Sequence, residues 1–288
     1  MNEKLAIITG ANGDMGSSLT RDVANAGYKV IMACQDLQKA SPRYEQIKKE
    51  TGKDIELLNL DLASFESIRN FVNQVKEKYQ HIDLLLNNAG TLCHFACETK
   101  EHIERTVGVN YLGHLILTHL LLPLMGQGTR VVNMISLTIR YGHLKPNFFQ
   151  PVDKKHFNRF TTYSDSKKAL YYFTIDAAET WKKYGISVNC ADPGIVSTNI
   201  IRQGNKVVDK LCDMFFRPII RTPSQGAATM LKLALDPELE GETGGRYVNR
   251  KLRPVSQELQ QSPERTMLRQ ITANLLKEHG FDFKLYEK

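Results

Sequence analysis

The 288-residue chain lacks the marks of several large protein classes. It has no run of about 18 or more apolar residues, so no transmembrane helix is expected. Only Met1 to Lys4 precede the first strand-like run, too little for a signal peptide. Its five cysteines (Cys34, Cys93, Cys97, Cys190, Cys212) are odd in number and form no Cys-x-x-Cys. Neither a disulfide framework nor a metal site is therefore expected. There is no internal repeat, low-complexity tract or linker, and no compact basic stretch of the kind that binds nucleic acid. The formal charge of +7 is spread along the chain, which leaves room for an anionic ligand or a membrane surface. These absences point to a soluble, cytoplasmic protein.

What is present is alternation. Short β-branched runs at 5–9, 29–34, 55–59, 84–87, 131–135, 187–190 and 246–248 are separated by helical patterns such as 68–79 and 103–125. That rhythm predicts an α/β fold with one doubly wound parallel sheet and helices on both faces. Its ligand site is expected where the strand C-termini meet the switch in strand order. With 42% hydrophobic residues the chain can bury a large core, and we read 1–250 as one dinucleotide-binding catalytic domain. Two segments break the rhythm. Residues 137–162 mix aromatics (Tyr141, Phe148, Phe149, Phe157, Phe160) with bases, and residues 199–222 form an apolar candidate substrate loop. Residues 251–288 read as a tail packed on the domain. Ser262-Pro263-Glu264 there resembles a helix start, and Leu268, Ile271, Leu275 and Leu276 mark one face.

The segment Thr9-Gly10-Ala11-Asn12-Gly13-Asp14-Met15-Gly16 follows the first strand and opens a helical pattern. Glycines allow a sharp turn and close approach of a pyrophosphate, and the helix N-terminus behind them favours negative charge. The acid that commonly binds ribose after the second strand is missing. The chain runs Cys34-Gln35-Asp36 instead, which favours NADP and leaves NAD possible. Further on, Tyr163 and Lys167 are spaced to share a helix face. A cation beside a phenol lowers its pKa and makes it a usable acid or base.

On these residues the chain resembles the short-chain dehydrogenase/reductase family over about residues 5 to 250, and within it the retinol-dehydrogenase-like and WW-domain-oxidoreductase-like branch. After the glycine-rich turn, Asp61 and Leu62 match the adenine-contacting position. Asn87-Asn88-Ala89-Gly90 matches the family signature after the fourth strand. Asn110, Ser136, Tyr163 and Lys167 match the catalytic quartet, and Pro193, Gly194, Ile195 and Thr198 match the segment that holds the nicotinamide carboxamide. The resemblance implies a Rossmann fold and reversible hydride transfer between a nicotinamide and an alcohol or carbonyl. Tyr163 would be the acid, Ser136 would orient the substrate oxygen and Lys167 would depress the tyrosine's pKa. Asn110 would hold a water or fix the helix bend, and His94, His114 and His143 are taken as packing or surface groups. The resemblance also implies a homodimer or homotetramer through 103–125 and 163–182, and the apolar loops suggest a hydrophobic substrate. Two departures stand out. Gln35 replaces the branch's phosphate-gripping arginine, with Lys39 nearby, and Asp14 replaces a glycine whose place has moved to Gly13. A cofactor-binding regulator or scaffold and a nucleotide-sugar epimerase are the rival readings.

Overall fold

The computed structural model describes residues 4–194 and 221–287. Ile195, Thr198, Cys212 and nearly all of the candidate substrate loop lie outside them. Eight strands are described: β1 (Lys4–Thr9), β2 (Tyr28–Cys34), β3 (Ile55–Asn59), β4 (Leu84–Asn87), β5 (Arg130–Met134), β6 (Ser187–Asp192), β7 (Arg246–Val248) and β8 (Lys251–Arg253). They form one sheet in the order β3-β2-β1-β4-β5-β6-β7-β8. All neighbours are parallel except β7 and β8. The order switches between β1 and β4, which opens a crevice at their C-terminal ends.

The strands are apolar on both sides because both sides are covered. Leu5 and Ile7 of β1 face one core with α3 (Phe65–Lys78), α4 (Arg105–Leu124) and α5 (Arg159–Trp181). Ala6 and Ile8 face the other, with α1 (Asp14–Asn25), α2 (Leu37–Thr51) and α6 (Pro223–Leu235). Ile7 is fully buried, so truncation to alanine would cost about 2–5 kcal/mol.

Helix α4 is irregular: Gly108–Gly113 widens into π geometry. A Cβ at Gly113 would come within 2.4 Å of the Leu62 carbonyl oxygen, so the helix approaches its neighbour as only glycine permits. Arg105–Leu124 is also long and apolar enough to cross a membrane, with a mean hydropathy of 1.4. No such helix was expected from the sequence. Its apolarity has an internal cause, since 78% of that stretch is buried in the fold.

The tail departs from expectation at its start. Lys251–Arg253 extends the sheet as β8, beyond the strand read as the last. After it, α7 (Pro263–Glu278) docks through buried Leu268 and Leu276. Tyr111 Oη lies 2.9 Å from Thr272 Oγ1, and Arg265 and Arg269 both bind the buried Asp176 carboxylate. Trp181 Nε1 donates to the Tyr286 carbonyl at 3.0 Å, and the Tyr286 amide donates to His119 Nε2 at 2.9 Å. The tail thus covers part of α4 and α5, the helices through which self-association was expected. The aromatic insert divides: Phe148 and Phe149 pack on Tyr111, while Tyr141 and Phe160 stand exposed.

Candidate active site

The crevice holds a cavity of about 350 Å³. Thr9, Gly10, Asn12, Gly13, Asp14, Met15 and Gly16 line one side. Gln35, Asp61 and Leu62 line a second, and Asn88, Ala89, Gly90 and Thr91 close the inner end. Gly10 has φ +63°, and a Cβ there would sit 2.9 Å from Ala89 Cα. A Cβ at Gly16 would lie 2.2 Å from the Gly10 carbonyl oxygen. Both glycines are thus required by the turn's own packing. Thr9 and Asn88 lock the two strand ends together: Thr9 Oγ1 accepts the Asn88 and Ala89 amides at 3.0 Å, and Asn88 Nδ2 donates to the Thr9 carbonyl at 2.9 Å.

Helix α1 starts at Gly13 with no side-chain cap. By contrast, α2, α3, α5, α6 and α7 are capped by Asp36, Ser64, Asn158, Thr222 and Ser262. The uncapped start lies in the cavity wall, where first-turn N–H groups suit a phosphate. The described residues therefore fit a dinucleotide. At the outer end Gln35 Nε2 donates to Asp61 Oδ2 at 3.1 Å, and Asp61 Oδ1 accepts the Ala63 amide. Asp36 turns away to cap α2 and pairs with Lys39 at 3.2 Å. Asp14 has Arg43 3.9 Å away.

At the inner end the structure brings the quartet together. Tyr163 and Lys167 lie one turn apart on α5, and the Ser136 hydroxyl, just past β5, lies close enough to the Tyr163 phenol to act on its ionisation. Lys167 Nζ donates to the Met134 carbonyl at 2.7 Å and lies over the Tyr163 ring, 5.8 Å from its centre. Asn110 occupies the π segment of α4. Its Nδ2 donates to the Thr91 carbonyl (2.9 Å) and Ser166 Oγ (3.0 Å), and its Oδ1 accepts the Thr91 amide (2.8 Å). Of the two roles anticipated for Asn110, these bonds fit the fixing of the helix bend. A Cβ built on Gly90 would lie 3.5 Å from both Asn110 Oδ1 and Lys167 Nζ, ordinary contact distance, so the loop after β4 runs directly beside both groups. Pro193 and Gly194 follow β6. The Gly194 amide donates to Asp192 Oδ1 at 3.0 Å, and Asp192 pairs with Arg246 at 3.1 Å.

The electrostatics differ from expectation. Burial pushes the Tyr163 phenol up to about 12, with the Ser136 hydroxyl opposing and the Asp192 charge adding. Lys167 was expected to depress it. Instead the ammonium sits over the ring and gives a hydrogen bond to Met134, and loss of water around the phenol dominates. Burial also brings Lys167 down to about 8. His114 is a packing group. Its Nδ1 lies 3.2 Å from the Asn110 carbonyl and its Nε2 3.1 Å from Thr9 Oγ1, and burial with the Lys167 charge holds it neutral, at about 3. His94 and His143 are exposed.

Four participants had no assigned role in the sequence reading. Thr91 and Ser166 tie Asn110 in place, and Asp192 fixes the Pro-Gly turn. Arg105 lines the cavity with Val109, one helical turn on; that spacing was the available signal.

Comparison with known proteins agrees with this geometry. The family model for short chain dehydrogenases matches residues 4–149 and 151–209. Retinol dehydrogenase 11 of Mus musculus is 34% identical over 256 residues, which span 88% of this chain and 80% of that protein. Polyprenol dehydrogenase of Mus musculus is 34% identical over 255 residues, 85% of this chain and 75% of that protein. Among solved structures, a short-chain type dehydrogenase/reductase from Mycobacterium marinum superposes with a TM-score of 0.68 at 20% identity, covering 85% of this chain and 93% of that one. A short chain dehydrogenase from Shigella flexneri 2a, solved with NADP, gives 0.65 at 22% identity, covering 87% and 98%.

Proposed function

The chain belongs to the short-chain dehydrogenase/reductase family and is an NAD(P)-dependent alcohol/carbonyl oxidoreductase, and we propose that Tyr163 is its proton donor, working on a hydrophobic substrate with NADP preferred. The nicotinamide, when bound, supplies the hydride chemistry. The observation that carries the proposal is the meeting of the Ser136 and Tyr163 hydroxyls beside the buried Lys167, at the inner end of a crevice whose outer part suits a dinucleotide.

Reduction of a carbonyl leaves negative charge on its oxygen. A phenol held near 12 is fully protonated at neutral pH and gives its proton to such an oxygen. Ser136 donates to the same oxygen and sets its direction. Once Tyr163 has lost its proton, Lys167 lies close enough to stabilise the phenolate. Its effect therefore grows during the step and is small before it. Asn110, bolted to Thr91 and Ser166, keeps α4 and α5 in register around this point.

NADP is preferred because an amide, Gln35, stands where an acid would repel a 2′-phosphate, and Asp36 is turned onto α2. The names of the relatives, retinol and polyprenol dehydrogenases, and the apolar character of the 199–222 segment both favour a lipid alcohol or aldehyde. Screening retinoid, polyprenoid and long-chain aldehydes with NADPH and NADH tests the reading. Turnover with NADPH that is lost in Tyr163→Phe supports it. Cofactor binding without turnover on any carbonyl would favour a regulator of the same fold, a reading to which Asp14 in the glycine-rich turn also lends weight.

A further inference from the structure

Asp192 reaches in two directions. Its Oδ1 accepts the Gly194 amide, and its Oδ2 pairs with Arg246 at the start of β7. Arg246 also lines a second cavity of about 350 Å³, which shares no lining residue with the crevice. Arg140, Arg246 and Ser256 are its polar lining residues, and Ile139, Val255 and Leu259 supply apolar wall. Among the described residues no carboxylate lines it. Its size is that of a small-molecule site.

The charge around it is unbalanced. In the antiparallel ladder of β7 and β8, Arg246 stands directly opposite Arg253. Residues so placed share a face of the sheet with Cβ atoms roughly 4.5–5.5 Å apart, where like charges are destabilising. Asp192 pairs with Arg246, but among the described residues neither Arg140 nor Arg253 has an acidic partner. Glu258, in the adjoining short helix Gln257–Gln260, is exposed and lies outside the lining. Arg246 makes one side-chain hydrogen bond among the described residues, to Asp192, and its Nε is buried with no partner. Such an unpaired donor is costly and uncommon in a native fold. Ser256 Oγ accepts the Leu259 amide, so its hydroxyl proton is left to donate elsewhere. Guanidinium groups present a planar fork of N–H donors that matches carboxylate and phosphate oxygens.

We propose that the cavity between the turn Leu137–Tyr141, β7 and residues 254–259 binds a small oxyanion, a phosphate or carboxylate group carried by a free small molecule. Arg140 and Arg246 grip the group from two separate elements, and Ser256 donates to it. The negative charge it brings offsets the opposition of Arg246 and Arg253. The cavity is tied to the crevice at two points. The turn Leu137–Tyr141 starts on Ser136, and Arg246 holds Asp192, which fixes Gly194. An occupant therefore shares a guanidinium with Asp192 and bears on the Pro-Gly turn. That consequence rests on the catalytic reading above; the binding does not.

The test is isothermal titration calorimetry of the purified chain with inorganic phosphate and, separately, with malonate. Excess ADP-ribose blocks the crevice, and sodium chloride keeps the ionic strength matched. One-site binding of at least one anion is expected, and the tighter of the two names the group. Arg140→Glu, at an exposed position, should weaken it about tenfold or more with an unchanged melting temperature. Arg253→Glu, which sets an acid opposite Arg246, should weaken it likewise. Binding of neither anion would overturn the proposal, as would binding that either variant retains unchanged. So would binding seen only without ADP-ribose, which would assign the anion to the crevice. Because neither turnover nor nicotinamide binding is read, failure here and failure of the catalytic reading are separable.

Discussion

At the outer part of the crevice, α1 begins on Gly13 with nothing capping its first-turn N–H groups. At the inner end, Asn110, Lys167 and Thr9 have their polar atoms tied within the protein. The first region suits an anion that arrives from solution. The second is arranged in advance, so its groups need little reorganisation when charge develops on a substrate oxygen. Binding and chemistry are thus divided between regions with opposite hydrogen-bonding economy, and substitutions should separate them.

The largest effect is expected at the inner end. Tyr163→Phe should lower turnover by about a thousandfold. Cofactor affinity, measured by nicotinamide fluorescence, should stay near wild type. Loss of both together would mean that the two regions are not separable. At the outer end Gly16→Ala should do the reverse. Its Cβ would meet the Gly10 carbonyl at 2.2 Å, so the turn must deform at a cost of about 3 kcal/mol, seen as a lower melting temperature and lost cofactor binding. A variant that binds normally would show that the turn yields easily.

The charge of Lys167 sharpens the comparison. Its pKa falls from 10.5 in the unfolded chain to about 8 in the fold. Between these values the unfolded state binds more protons, so stability rises with pH across that window. The burial cost is present in full below pH 8 and relieved toward 10.5, roughly 3 kcal/mol in all. Lys167→Met should remove that contribution, and denaturant unfolding at several pH values reads it. An identical slope in the variant would mean the ammonium is not desolvated as described. The smallest effect is expected at Asp14, whose carboxylate lines the phosphate end of the cavity. Asp14→Gly should tighten NADPH binding by about three- to tenfold. Weaker binding would indicate that the Asp14–Arg43 pair holds the site open.

Much of this architecture was legible because it depends on local chemistry. The glycine turn is set by backbone sterics at Gly10 and Gly16, and the parallel sheet covered on both faces follows from apolar runs alternating with helices. The spacing of Tyr163 and Lys167 fixed a shared helix face. What the sequence did not convey depends on distant neighbours. β8 escaped notice because Asn249 and Arg250 both take positive φ to turn the hairpin without the glycine that usually marks such a turn, and the strand is three residues long. Arg105 and Thr91 reach the cavity through the course of α4 and of the loop after β4, which no motif encodes. The rise of the Tyr163 phenol comes from desolvation at the inner end of the crevice, which forms only when distant elements meet, whereas spacing alone suggested a fall.

The most direct measurement is equilibrium titration of the purified chain with NADPH and NADH, followed by nicotinamide fluorescence. The account predicts saturable binding of both at one site, tighter for NADPH, and displaced by ADP-ribose. No binding of either nucleotide would contradict it, because the uncapped start of α1 and the cavity between β1 and β4 would then have been assigned to the wrong ligand.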